Sequence, residues 1–389
     1  MRSASLLTLF LASAGFAADL DALVRRVKAV GPEGAGNRDA AAAWKELSQL
    51  DGTSLVPLLK AFDGASGIAA NYLRSAVDAV VEHDRVLKKP LPTDALKAFL
   101  TDRKNDARAR RIAYELIVAA DPKATAMLPT FLDDPSLELR YEAVQTAFDA
   151  TKALPKDSAP AKTELRKLLS ASRDKDQAEA IVRELDARGE KVDTVAHFGF
   201  LTHWTIAGPF DNTNGKAYTT AFPPDQGVDF KATYTGKGGR NFGWKPLTTS
   251  DKMGVVNLNL LYPRPNAPAA AKEPLGEKNV VAFGYTEVVV PEARPAELRA
   301  ASATALVLYL NGARVFGRES YHQSFDVDSY IAPVTLKKGR NTILFKVVQN
   351  DGQASWMQNW QFQLRITDAL GAPVPLTQIK PEDFGKETP

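Results

Sequence analysis

Two different spacings of apolar residues divide the chain. From Ala18 to about Lys191 apolar side chains return every three or four positions, the spacing of one face of a helix. Leu137, Tyr141, Val144 and Phe148 stand at i, i+4, i+7 and i+11, which predicts that they share a buried face. Ile112, Leu116 and Ala119 do the same one helix earlier. Turn residues punctuate the series at Asp51-Gly52, Lys89-Pro90, Asp121-Pro122, Asp134-Pro135 and Leu154-Pro155. From Phe198 onward the pattern changes to short β-branched and aromatic runs. Strands are predicted over Phe200–Ala207, Val255–Leu261, Val280–Val290, Glu297–Ala301, Ala305–Asn311, Arg314–Phe316, Ile331–Thr335, Asn341–Val348 and Gln361–Thr367. Asn311-Gly312, Lys338-Gly339 and Asp351-Gly352 carry tight-turn chemistry, and the chain is expected to turn at Gly208-Pro209.

The fold class that follows is a multidomain α and β protein. A helical repeat domain over 18–192 precedes an antiparallel β-sandwich over 193–372, with a tail over 373–389. Residues 1–17 read as a signal peptide: Arg2 precedes the apolar run Leu6 to Ala14, and Gly15-Phe16-Ala17 supplies small residues for cleavage. The protein is therefore expected to be exported, to the periplasm, cell surface or medium. No later apolar run reaches the roughly 20 residues of a membrane span. The Pro- and Ala-rich stretch Pro263 to Pro274 reads as a surface loop.

Charge and composition narrow the chemistry. Residues 18–193 carry 28 basic against 29 acidic side chains, and residues 194–389 carry 20 against 17. Neither part has the basic excess of a nucleic-acid binder. Cysteine is absent, which excludes disulfides, thiolate catalysis and thiolate metal sites. The four histidines, His83, His197, His203 and His322, stand in no ligand spacing. There is no Gly-x-Ser-x-Gly elbow and no phosphate loop, so no catalytic residue is assigned and no enzyme activity is expected. The densest basic cluster, Arg103, Lys104, Arg108, Arg110 and Arg111, is interleaved with Asp102, Asp106 and Glu115 and reads first as a solvated helix face, second as an anion site.

Two resemblances sharpen this picture. Asp134-Pro135-Ser136-Leu137-Glu138-Leu139-Arg140-Tyr141-Glu142-Ala143 resembles a HEAT repeat, in which the Asp-Pro starts a helix and an Arg precedes a small packing residue. Stacked units of that kind bury a continuous core and present a surface for a protein partner. Leu308-Tyr309-Leu310-Asn311-Gly312-Ala313-Arg314-Val315-Phe316, followed by Lys337-Lys338-Gly339-Arg340-Asn341-Thr342-Ile343-Leu344-Phe345, resembles the strand pair of galactose-binding-like jelly rolls. With the Trp204 to Asn212 stretch, the combination also resembles exported proteins of planctomycete-type bacteria. The jelly-roll family implies a binding or spacer module, not catalysis.

A sugar site needs an exposed aromatic face with amide neighbours. Trp356 and Trp360, with Gln358 and Asn359 between them, are the candidates; core packing of Trp360 is the alternative. Trp204 and Trp244 are expected in the core. Asp211, Asn212 and Asn214 have the oxygen density of a calcium loop, although Phe222 replaces the Glu of an EF-hand; Asp326 and Asp328 form a second such turn. The family resemblance implies a structural calcium at one of them, and backbone capping is the alternative. No other cofactor is expected. The leading expectation is an exported, non-catalytic binder of a glycan or cell-envelope polymer, with a protein partner on the helices. A scaffold without carbohydrate binding is the alternative, and a hydrolase would need a deep pocket with two convergent ionisable groups.

Overall fold

The computed structural model describes residues 19–265, 267 and 274–386. The predicted signal peptide and most of the Pro- and Ala-rich loop lie outside the described residues. The chain divides into two compact units, the first ending at Glu184 and the second beginning at Leu185.

The first unit is helical: residues 19–28 (α1), Asn37–Leu47 (α2), Leu55–Lys60 (α3), Gly67–Val86 (α4), Thr93–Thr101 (α5), Ala107–Ala120 (α6), Leu137–Lys152 (α7), Ala159–Ala171 (α8) and Lys175–Ala187 (α9), which carries the chain across the boundary. A 3-10 helix, Pro122–Phe131, joins α6 to the turn before α7. The helices start where short polar side chains accept the amide protons that have no partner in the first turn. Ser66 accepts from Ala69, Asp106 from Arg108 and Ala109, Ser136 from Leu139 and Ser158 from Ala161. Leu47, Leu58, Leu73, Val77, Leu100, Ile117 and Leu139 belong to one continuous core.

Two expectations for this unit are corrected. Val144 and Phe148 are buried, but Leu137 and Tyr141 are 44% and 45% exposed. The inward face of α7 is instead Leu139, Arg140, Ala143, Val144 and Phe148, because Arg140 turns in and donates from Nε to the Asp134 carbonyl at 2.8 Å. The arginines before and within α6 do not share a solvated face either. Arg110 is buried and grips both carboxylate oxygens of Asp134 at 2.7 Å. Arg103 pairs with Asp133, Arg108 with Asp106, and Arg111 with Glu115 and Glu142.

The second unit is an antiparallel sandwich. Its strands are His203–Asp211 (β1), Tyr234–Thr235 (β2), Asn241–Phe242 (β3), Lys245–Thr248 (β4), Val256–Asn257 (β5), Val280–Val290 (β6), Arg294–Ser302 (β7), Ala305–Leu310 (β8), Ala313–Arg318 (β9), Tyr330–Leu336 (β10), Gly339–Gln349 (β11), Gln361–Thr367 (β12) and Thr377–Gln378 (β13). One sheet has the order β4-β1-β6-β11-β8-β9, with β13 also on β6; the other has the order β10-β7-β12-β5. Trp204, Ile206, Leu298, Leu308, Phe345 and Phe362 fill the space between them. The outer face of the larger sheet is covered too: Phe210, Phe283, Tyr285 and Leu344 pack with Tyr234, Phe222, Phe230 and Phe384. That explains why β6 and β11 read as almost unbroken apolar runs rather than alternating ones.

Asn311 and Gly312 both adopt positive φ, 52° and 82°, and make the two-residue turn expected between β8 and β9. Three other local expectations change. β1 does not end at Gly208-Pro209. It passes through a cis peptide there, its register shifts between Ala207 and Phe210, and pairing with β6 resumes at Phe210 and Val281. A Cβ on Gly208 would lie 3.1 Å from the Val281 carbonyl oxygen, so the close approach to β6 favours glycine. Val255–Leu261 is not one strand: β5 stops after two residues because Asn257 caps a helical turn, Leu258–Leu261, accepting from the Asn259 amide at 3.0 Å. The segment read as a tail adds β13 to β6 and buries Phe384.

Candidate ligand-binding site

β11 and β12 are not joined by a tight turn at Asp351-Gly352. An eleven-residue connection, 350–360, separates Gln349 from Gln361 and holds the 3-10 turn Ser355–Met357. Trp356 stands on that turn and is 63% exposed. Its ring and that of His322 meet at right angles, edge to face, with centroids 5.5 Å apart and planes at 86°. The other large aromatic residues of this end are inside: Trp360 is fully buried and packs 5.7 Å from Tyr262.

The turn is held by polar side chains from neighbouring segments. Gln358 Nε2 donates to the carbonyls of Gln353 and Ala354 at 2.8 and 2.7 Å, and its Oε1 accepts from Arg264 Nη2 at 2.6 Å. Arg264 also donates to Gln353 Oε1 at 3.2 Å. Lys278 Nζ donates to the Met357 carbonyl at 2.6 Å, and Asn259 Nδ2 to that of Gln358 at 2.9 Å. A large apolar face thus projects into solvent from a cross-linked loop.

The four residues proposed for a sugar site therefore separate. Trp356 and Asn359 are exposed. Trp360 offers no face, because β12 turns it into the core. Gln358 is a positioning residue, since both ends of its amide are occupied within the loop. His322, Arg264 and Lys278 were missed: they lie on other segments, and nothing in their spacing connects them to Trp356. As for the remaining tryptophans, Trp204 is fully buried and Trp244 half-buried against Tyr285.

Burial, helped by Arg264, pushes the Lys278 ammonium down to about 8. Burial and the nearby Lys278 also hold His322 below the usual imidazole range. The linkage sign follows directly. Between about pH 8 and the ordinary lysine range the unfolded chain binds more protons at Lys278 than the folded one, so this group's contribution to stability rises with pH. Thermal unfolding from pH 7 to 10 is expected to show wild type gaining on a Lys278→Met variant; a constant difference would refute the assignment.

Four of the five residues proposed for calcium use side-chain oxygens in hydrogen bonds within the fold. Asp211 Oδ1 accepts from Thr213 N and Oγ1, and these bonds hold its carboxyl below the usual range. Asn212 Oδ1 accepts from Ala217 N, and Asn214 Oδ1 from Lys216 N. Asp328 is held by two guanidinium groups: Arg299 Nη1 reaches it at 2.9 Å and Arg365 Nε at 2.7 Å. Among the described residues no group of three or more His, Cys, Asp or Glu is placed to hold a metal ion. Asp326 lies on the same loop, residues 319–329, and borders a cleft of ≈ 470 Å³ between β9 and β10.

No protein-family model and no curated protein matches the chain. Solved structures similar to part of it include a family 35 carbohydrate-binding module from an environmental isolate, 14% identical with a TM-score of 0.20, covering 30% of this chain and 85% of that one. A family 35 carbohydrate-binding module from Clostridium thermocellum is 18% identical with a TM-score of 0.16, covering 23% and 71%. A β-glucosidase from Kluyveromyces marxianus in complex with glucose is 12% identical with a TM-score of 0.27, covering 76% of this chain but 36% of that one. Likenesses this weak carry no functional argument, which rests on the geometry of the site.

Proposed function

We propose that the sandwich is a non-catalytic glycan-binding module that stacks a sugar ring of an extracellular or cell-envelope polymer on Trp356. The exposed indole carries the reading. A side chain of this size left 63% exposed, on a loop that six or more polar contacts hold in place, is prepared to cover an apolar ligand face. Because the loop is already ordered, binding costs little further conformational entropy. The exposed amide of Asn359 is available to sugar hydroxyls.

The test uses the full chain on immobilised polysaccharides. Trp356→Ala is expected to weaken retention by about 2 kcal/mol, roughly thirtyfold, with the melting temperature unchanged because the side chain is outside the core. Equal retention of variant and wild type would refute it.

The same reading includes export, and it places a protein partner on the helical unit. There Leu137 and Tyr141 stand exposed in a groove of ≈ 620 Å³ with Glu138 and Thr146 on its rim. A mature chain beginning at Ala18, and loss of a co-purifying protein on Leu137→Glu, are the results it expects; a chain recovered uncleaved, or an unchanged partner, would count against it.

A further inference from the structure

We infer that the cleft between β9 and β10 is a second subsite that takes an uncharged sugar residue, so that the sandwich grips a polysaccharide along its length rather than by one end group. This rests on the glycan-binding reading of Trp356.

The location follows from the topology. β9 is the outer strand of the larger sheet and β10 that of the smaller one. Between them the margin of the core comes to the surface as two rings, Phe316 and Tyr330, with centroids 5.6 Å apart and planes at 43°. The space above them is ≈ 470 Å³, within the usual range for a small-molecule site. Its walls are polar: Arg318 at the end of β9, then Ser320, Gln323, Ser324, Asp326 and Ser329 from the loop between the strands.

The charges identify the ligand class. Arg318 and Asp326 form no salt bridge with each other, and among the described residues neither has another ion-pair partner. The cleft thus offers one guanidinium fork, one carboxylate and several hydroxyl and amide groups over an aromatic floor, with a formal charge of zero. A polyhydroxyl ring with an apolar C–H face meets all of these: its hydroxyls donate to the carboxylate and accept from the guanidinium. An acidic sugar would face Asp326 and a cationic one Arg318. An extended peptide added to β10 is disfavoured by Pro333, which has no amide proton for the pairing.

The loop that builds the cleft also reaches the first subsite. Ser320, Gln323 and Ser324 line the cleft, while His322, the residue between them, meets the Trp356 ring. Consecutive Cα atoms are 3.8 Å apart, so one loop width separates the two subsites. This loop is fixed at its C-terminal end and at its middle. Asp328 is clamped by Arg299 and Arg365, Ser329 Oγ donates to the Asp326 carbonyl at 2.6 Å, and Gln323 N donates to the Ala303 carbonyl at 3.0 Å. The cleft is therefore formed before ligand arrives.

Affinity electrophoresis of the full chain in galactan, mannan, mixed-linkage glucan and polygalacturonate, followed by titration with an oligosaccharide ladder of the retained polymer, tests the inference. Arg318→Gln and Asp326→Asn alter exposed side chains and leave the fold in place. Each is expected to weaken binding of the neutral polymer and its longer oligosaccharides about tenfold, while the shortest oligosaccharide held by wild type binds unchanged. If both variants bind the polymer like wild type while Trp356→Ala loses it, the second subsite is refuted and the first stands. Preferential retention by polygalacturonate, or binding of an extended peptide at the cleft, overturns the neutral-sugar assignment. Failure of wild type to be retained by any of the polymers refutes both readings.

Discussion

Asp134→Ala is expected to destabilise the helical unit by about 3–5 kcal/mol, the cost of leaving a buried charge without its partner. Arg110 is 1% exposed, and both its terminal nitrogens lie 2.7 Å from Asp134 oxygens. Its Nε donates to the Leu100 carbonyl at the end of α5. Asp134 in turn accepts from Ser136 N at 2.8 Å, in the turn that leads into α7. One carboxylate therefore ties the end of α5, the body of α6 and the start of α7. Removing it leaves the buried Arg110 guanidinium without its carboxylate partner. Hydrogen exchange should rise across α5, α6 and α7, and the melting temperature should fall on the order of 10 °C. The double variant Arg110→Met, Asp134→Leu is expected to recover most of the loss, since apolar side chains of similar volume often replace a buried pair at no net cost. Protection in α6 unchanged by Asp134→Ala would show that the pair contributes little.

Asp225→Ala is the second large expectation, again about 3–5 kcal/mol. Lys346 is on the outer face of β11 and 2% exposed. Its Nζ donates to Asp225 Oδ2 at 2.9 Å and to the Thr220 carbonyl at 2.7 Å, and it lies over the rings of Phe222 and Phe283 at 5.0 and 5.7 Å. Asp225 also accepts from Tyr309 Oη and Phe222 N, both at 2.8 Å. The carboxylate thus fastens the covering segment 217–230 to the sheet. Burial already holds the Lys346 ammonium below its ordinary value; without Asp225 that cost stands unopposed. The covering segment should then open, and limited proteolysis should cut between residues 217 and 244 while β6 and β11 remain protected. Lys346→Met leaves the Asp225 carboxylate buried without its cation and should cost a similar amount, while the double variant Lys346→Met, Asp225→Leu, which removes both charges, should be milder than the two losses added together. Additive damage in the double variant would mean that packing, rather than charge, decides the stability here.

These two pairs show where a sequence can and cannot be read. Helical spacing to about Lys191 and the short strands beyond it were visible because burial on one face imposes a period of 3.6 or 2 regardless of what packs there. Gln361–Thr367 matches β12 to the residue for that reason, while Val280–Val290, buried on both faces, matches β6 to the residue as a short apolar run. Asn311-Gly312 was legible because positive φ at two successive positions selects those residue types. By contrast, Asp351-Gly352 has the same chemistry and makes no tight turn: Gln358, Arg264 and Lys278 hold that connection in a longer path. The spacing of Leu137 and Tyr141 was correct for a helix but could not say how the helix is rotated, which Arg140 decides by reaching the Asp134 carbonyl.

The candidate site divides in the same way. Trp356 was accessible to reasoning because its neighbours in sequence are amides and a turn. His322, Arg318 and Tyr330 were not, since sequence adjacency carries no information about which edge strands meet or what a loop faces. Asp326 and Asp328 looked like one oxygen-rich turn; the fold sends Asp328 to two arginines and Asp326 to a cleft. What the sequence determined by itself is the order and type of the elements, the absence of thiol chemistry and a balanced charge, because these depend on local periodicity and composition. Which aromatic ring faces water, which carboxylate is already paired and which loop joins two subsites were decided by tertiary structure, because each depends on what long-range packing places within a few ångströms.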